Sequence, residues 1–119
     1  MSVLEGFTQL RRDPKMVVSF SKNRTEFSRA SIEALNEPPF ALLMINKEAK
    51  QLAVVAKEEK EAGCRVFKGK QVRLSSKDTT KELFSLSGLD PLLIDSKIVK
   101  FPGKLVEKGV IIFDLSNPL

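Results

Sequence analysis

Val17-Val18-Ser19-Phe20-Ser21-Lys22-Asn23-Arg24-Thr25-Glu26-Phe27-Ser28 is the stretch whose reading decides the fold. Residues 17–21 are rich in β-branched and aromatic side chains, which predicts a strand. Lys22-Asn23 is a turn signal, and Thr25-Glu26-Phe27 predicts a second short strand. Ser28 then stands at an N-cap position, where its hydroxyl can accept from the free N–H groups of a first helical turn. A short helix is expected through Leu35. Asn36-Glu37-Pro38-Pro39 ends it, because proline lacks a donor and restricts the residue before it.

Working outward, residues 40–45 and 51–56 read as two strands joined by the polar turn Asn46-Lys47-Glu48-Ala49-Lys50. Their near-continuous apolar character predicts burial on both faces. Residues 57–63, KEEKEAG, read as a linker, with Glu58-Glu59 as solvated acids rather than a catalytic pair. After it the element order recurs. At an offset of 47, Phe67 falls on Phe20, Val72 on Thr25, Leu74 on Phe27 and Ser75 on Ser28. A helix is expected over 75–86, with Asp78 completing a weak capping box from Ser75. An insertion follows near residues 87–97. A hairpin of 98–101 and 110–115 then closes the second copy, its turn placed across Pro102-Gly103-Lys104 and Glu107-Lys108-Gly109. Gln51 aligns with Gly109 at offset 58, the first offset lengthened by the insertion.

The expected fold is therefore α+β: a small mixed-strand barrel of two pseudo-repeats, 17–58 and 64–115, within one domain spanning 1–119. Each repeat is a strand–turn–strand–short helix–hairpin unit. Upstream, Val3, Leu4, Phe7 and Leu10 share one helical face and predict a short N-terminal helix over 2–12, stopped before Pro14. The early Glu5 and the lack of an apolar core there argue against a secretory signal. No apolar run approaches the ~18 residues of a membrane span.

The chain has 119 residues, 42% hydrophobic and 29% charged, which excludes low-hydrophobicity disorder. It has no histidine, so triads built on that base are impossible within it. Cys64 is the single cysteine, which excludes an intrachain disulfide and a multi-thiolate cluster. The glycines are scattered singly, and no phosphate-cradling glycine loop occurs. A non-enzymatic protein without metal or cofactor is expected, in a reducing cytoplasm. Lys and Arg number 20 against 15 Asp and Glu, giving +5 and a surplus spread evenly along the chain. That excess permits phosphate binding without demanding it. With Trp and Tyr absent, single-strand stacking is disfavoured.

Asn23-Arg24-Thr25-Glu26-Phe27-Ser28-Arg29-Ala30-Ser31-Ile32-Glu33-Ala34-Leu35, followed by the hairpin of 40–45 and 51–56, resembles the signature of AbrB/MraZ-type swapped-hairpin proteins. The resemblance covers 17–58, with a looser match over 64–115. It implies two copies interleaved into one barrel about a pseudo-dyad, carried in one chain as in MraZ-like members. It also implies a bacterial or phage DNA-binding transcriptional regulator whose contacts come from basic residues in and beside a Gly-Arg turn. Arg24 falls on that arginine, Arg29 lies just after the cap, and Asn23 replaces the usual glycine. Ile32-Glu33 stand where the family often has paired basic residues, and Lys70-Gln71-Val72-Arg73 has no arginine at the aligned position. Arg73, two residues later, is read as able to face the other way along its strand. The nucleic-acid-binding set expected on this resemblance is Lys22, Arg24, Arg29, Lys68, Lys70 and Arg73, with double-stranded DNA as partner. The alternative is a protein-interaction or scaffold module of the same fold, binding another protein or a second copy of itself. Neither reading involves a membrane.

Overall fold

Asn23 makes the first turn possible. In the computed structural model, which describes residues 5–6, 15–67, 69 and 72–119, it adopts φ 62°. Asn is among the few side chains that enter this left-handed region at modest cost. The turn joins β1 (Val17–Ser21) to β2 (Arg24–Phe27), paired from Val18↔Phe27 to Ser21↔Arg24. Ser28 then ties the hairpin to α1 (Arg29–Ala34): its Oγ accepts from Val17 N at 3.0 Å and from Ser31 N at 3.4 Å. Positive φ at Asn36 and Glu37 turns the chain out of α1 before Pro38-Pro39.

β3 (Phe40–Asn46) and β4 (Gln51–Lys57) pair along their whole length, Phe40↔Lys57 to Asn46↔Gln51. After the exposed connector come β5 (Cys64–Val66), β6 (Val72–Leu74), α2 (Lys77–Ser85) and the short α3 (Leu93–Ser96). β7 (Val99–Glu107) and β8 (Val110–Asp114) complete the chain. The strands form one antiparallel sheet in the order β5-β3-β4-β8-β7-β1-β2-β6. The result is a mixed α+β fold, mostly antiparallel strands curled into a half-barrel with a few short helices.

β7 makes the curl. Its first half pairs with β1 (Val17↔Pro102, Phe20↔Val99), its second with β8 (Gly103↔Phe113, Leu105↔Ile111). Pro102-Gly103-Lys104 reads as a turn in the sequence, whereas the strand runs through it. Proline is tolerated because it falls where one ladder gives way to the next, and Gly103 N takes over by donating to Met16 O at 2.8 Å. Inside the curl, six phenylalanines form two groups: Phe20, Phe84 and Phe101, and Phe27 with Phe67 and Phe113, with ring centroids 5.3–6.3 Å apart. Val54, Ile111 and Phe113 are buried, as their strand positions predict. Thr25 and Thr80 share the core because their hydroxyls bond each other at 2.8 Å, fastening α2 to β2.

Other expectations shift. The cap of α2 is Ser76, whose Oγ accepts from Thr79 N at 3.2 Å, rather than Ser75. β3 and β4 are not buried on both faces: Met44 is 54% exposed, because no second layer among the described residues covers their outside. The N-terminal helix expected over 2–12 lies outside the described residues apart from Glu5 and Gly6, as do Lys68 and Lys70.

Candidate nucleic-acid interface

Strand alternation sorts the side chains of the β1–β2 hairpin. Val18, Phe20, Thr25 and Phe27 point into the core, so Ser19, Ser21, Arg24 and Glu26 point out. Register carries this face across the neighbouring strands. Lys100 of β7 lies opposite Ser19, Ser19 opposite Glu26, and Glu26 opposite Arg73 of β6. Four adjacent strands thus present Lys100, Ser19, Glu26 and Arg73 as one outward row. With strands ~4.8 Å apart, its ends are about 14 Å from each other.

Arg24 lies one pleat along from this row on the same face, and Lys22 is exposed in the turn just beyond it. Arg73 therefore shares a face with Arg24. A two-residue spacing preserves side-chain direction in a strand, which corrects the expectation that it could face away.

The cations differ in their engagement. Arg73 Nε lies 3.2 Å from Glu26 Oε2, with the Arg73 side chain still 56% exposed. This bridge is partly solvated and worth at most about 1 kcal/mol, so it orients Arg73 more than it stabilises the fold. Arg29 stands apart from the row, on the first turn of α1, with its Nε 2.9 Å from Glu33 Oε1. The structure thus brings together Arg24 and Arg73, leaves Lys22 in the adjoining turn, separates Arg29 into a helical ion pair, and does not describe Lys68 and Lys70. Arg24 makes no ion pair with a described residue.

Lys100 belongs to the face but was missed in the sequence. Its signal was present: exposed between buried Val99 and Phe101, it reads as the outward residue of a strand. What the sequence could not supply was the neighbour of that strand.

Among the described residues the buried polar side chains are satisfied: Ser31 Oγ meets Ser28 Oγ at 2.9 Å, and Ser87 Oγ donates to Phe84 O at 2.7 Å. Glu58 and Glu59 are exposed, as expected of a solvated connector. Among the described residues no group of three or more His, Cys, Asp or Glu could hold a metal ion. None of their helices is long and apolar enough to cross a membrane.

Family models, curated proteins and solved structures give no match to the chain.

Proposed function

We propose that this protein is a non-enzymatic, AbrB/MraZ-like DNA-binding regulator of bacterial or phage type, acting in the cytoplasm, and that it grips duplex DNA with the outward face of β1, β2, β6 and β7. One observation carries the reading: cross-strand register gathers Arg24, Arg73 and Lys100 onto one surface, with Glu26 as the acid among them and Lys22 exposed in the adjoining turn. Lysine and arginine there can neutralise phosphates, and the arginine fork can also engage guanine edges.

The ladders support the double-unit architecture behind this reading. Exchanging β1–β4 for β5–β8 turns the β1–β7 pair into β5–β3 and β3–β4 into β7–β8, both of which are formed. The counterpart of β1–β2, a β5–β6 pair, is not formed among the described residues, β5 and β6 lying at opposite edges of the sheet. The pairs β2–β6 and β4–β8 map onto themselves. Glu26↔Arg73 joins residues at the offset of 47 read from sequence. Between β4 and β8, the self-related pair Ala53↔Ile112 gives 59 instead of 58. In this reading the dyad passes through Glu26–Arg73, with the β1–β2 turn beside it.

Gel shifts on mixed-sequence duplexes over a range of salt concentrations test the proposal. The unmodified protein is expected to bind at least in the ~10⁻⁴–10⁻⁶ M range of non-specific binders near physiological salt. Arg24→Glu weakens binding on all sequences and flattens the salt slope by about one unit. Absence of duplex affinity leaves the second reading, a protein-interaction or scaffold module. That reading draws on the apolar outer face of β3, β4 and β8, where Met44, Ala53 and Ile112 stand in register.

A further inference from the structure

The connection from α2 to β7, residues 86–98, is much longer than that from α1 to β3, residues 35–39. The duplex reading makes no use of it. Its own hydrogen bonds shape it: Ser87 Oγ accepts from Leu89 N at 3.1 Å, and Asp90 Oδ1 accepts from Leu92 N at 3.0 Å. Ile94 anchors α3 in the core at 4% exposure. The segment is thereby held as a wall facing α2 and the β1–β2 turn.

Between these three elements lies a cleft of about 510 Å³, within the ~300–1,000 Å³ usual for small-molecule sites. Pro91, Leu92 and Ile94 supply an apolar side. Lys22, Lys77 and Lys81 line it as well, with Asp95 the one carboxylate among the lining residues. Lys77 and Lys81 share a helix face at i, i+4, a like-charged pair whose mutual repulsion a bound anion relieves. None of the three lysines is in an ion pair with a described residue. Leu92 is 67% exposed, a large apolar side chain left uncovered at the cleft.

We propose that this cleft is a nucleotide-phosphate site. Lys22, Lys77 and Lys81 hold the phosphate oxygens, Leu92 and Pro91 support the sugar or base, and Asp95 accepts from a ligand hydroxyl or amine. Ammonium groups suit phosphate as compact point charges. The same chemistry can arrive as a free nucleotide or as the backbone of a strand. In the first case the site is independent of the duplex reading; in the second it rests on that reading and carries the footprint around the β1–β2 turn, from Arg24 on the outer face to α2 on the inner one.

The test titrates AMP, with adenosine as the uncharged control, while following backbone amide shifts at residues 22–23, 77–85 and 91–95. A parallel titration uses duplex DNA. Both are repeated with Lys77→Glu/Lys81→Glu and, as a gentler variant, Lys77→Gln/Lys81→Gln. For a free nucleotide, AMP moves these amides, adenosine moves them much less, and the Glu pair weakens AMP at least tenfold. For a strand backbone, AMP is silent, while the pair lowers duplex affinity at least tenfold and flattens its salt slope. A cleft unresponsive to AMP, in a protein whose duplex affinity the pair leaves unchanged, overturns the proposal. So does equal response to AMP and adenosine. Binding of AMP by a protein with no duplex affinity would sink the regulator reading alone.

Discussion

Gly103 lies where β7 changes partners, and a methyl group there would stand 2.5 Å from Phe113 Cε1 and 2.7 Å from its Cδ1. The ring has little room to retreat, since Phe113 is fully buried with its centroid 5.7 Å from that of Phe27. Close approach of backbone to ring, rather than an unusual φ, is therefore the reason for glycine. Gly103→Ala is expected to destabilise folding by about 1–3 kcal/mol through overpacking. Urea unfolding measures this, and a loss below 0.5 kcal/mol (within the ordinary range for neutral surface changes, ~0.5) would mean that the ring yields freely.

The two capping serines are alike in sequence role and unlike in structural weight. Ser76 caps α2 by accepting from Thr79 N, the one hydrogen bond of its hydroxyl among the described residues. Ser28 caps α1, accepts from Val17 N, and donates to Lys15 O at 3.1 Å or shares its proton with Ser31 Oγ at 2.9 Å. One hydroxyl thus joins the end of β2, the start of α1 and the entry to β1. Ser76→Ala should cost ~1 kcal/mol, the ordinary value of a lost cap. Ser28→Ala should cost more, about 2–3 kcal/mol, because it also strips a partner from Val17 N and from the Ser31 hydroxyl. Equal losses in thermal or denaturant unfolding would show that the additional bonds of Ser28 contribute nothing net.

At the scale of the molecule, Glu26 is the test of what the outward row is for. It faces Arg73 across the β2–β6 pair and lies between Lys100 and Arg73 in the row. Glu26→Gln keeps the side-chain shape and removes the one negative charge of the row. If the face binds phosphate, duplex affinity should rise several-fold at low salt and less at high salt, where exposed charges are screened. Folding stability should change by less than about 1 kcal/mol, as befits a partly solvated bridge. Affinity that falls instead would assign Glu26 the task of holding Arg73 in its binding pose. Unchanged affinity would remove the row from the interface.

Local chemistry made most elements legible in the sequence. Val17–Ser21, the Asn23 turn, the Ser28 cap and the α1 stop at Pro38-Pro39 each rest on the conformational preferences of a few adjacent residues, and each appears in its expected place. The same holds for the alternation that buries Val54, Ile111 and Phe113. Errors came where a distant partner decides. Pro102-Gly103 reads locally as a turn, yet β1 on one side and β8 on the other hold it as strand. Residues 40–45 look buried on both faces, but the absence of a covering layer among the described residues leaves Met44 out in solvent. For the site, Lys22 and Arg24 were visible as a basic turn. Joining Arg24 to Arg73 and Lys100 needed the β2–β6 and β1–β7 registers, placing Lys22 beside α2 needed the fold of the helices onto the sheet, and setting Arg29 aside needed its contact with Glu33. Sequence determined which segments become strands and helices, because turns, caps and side-chain alternation act over a few residues. Only the tertiary structure decided which cations share a surface, because that depends on pairing between strands as distant in the chain as β1 and β7.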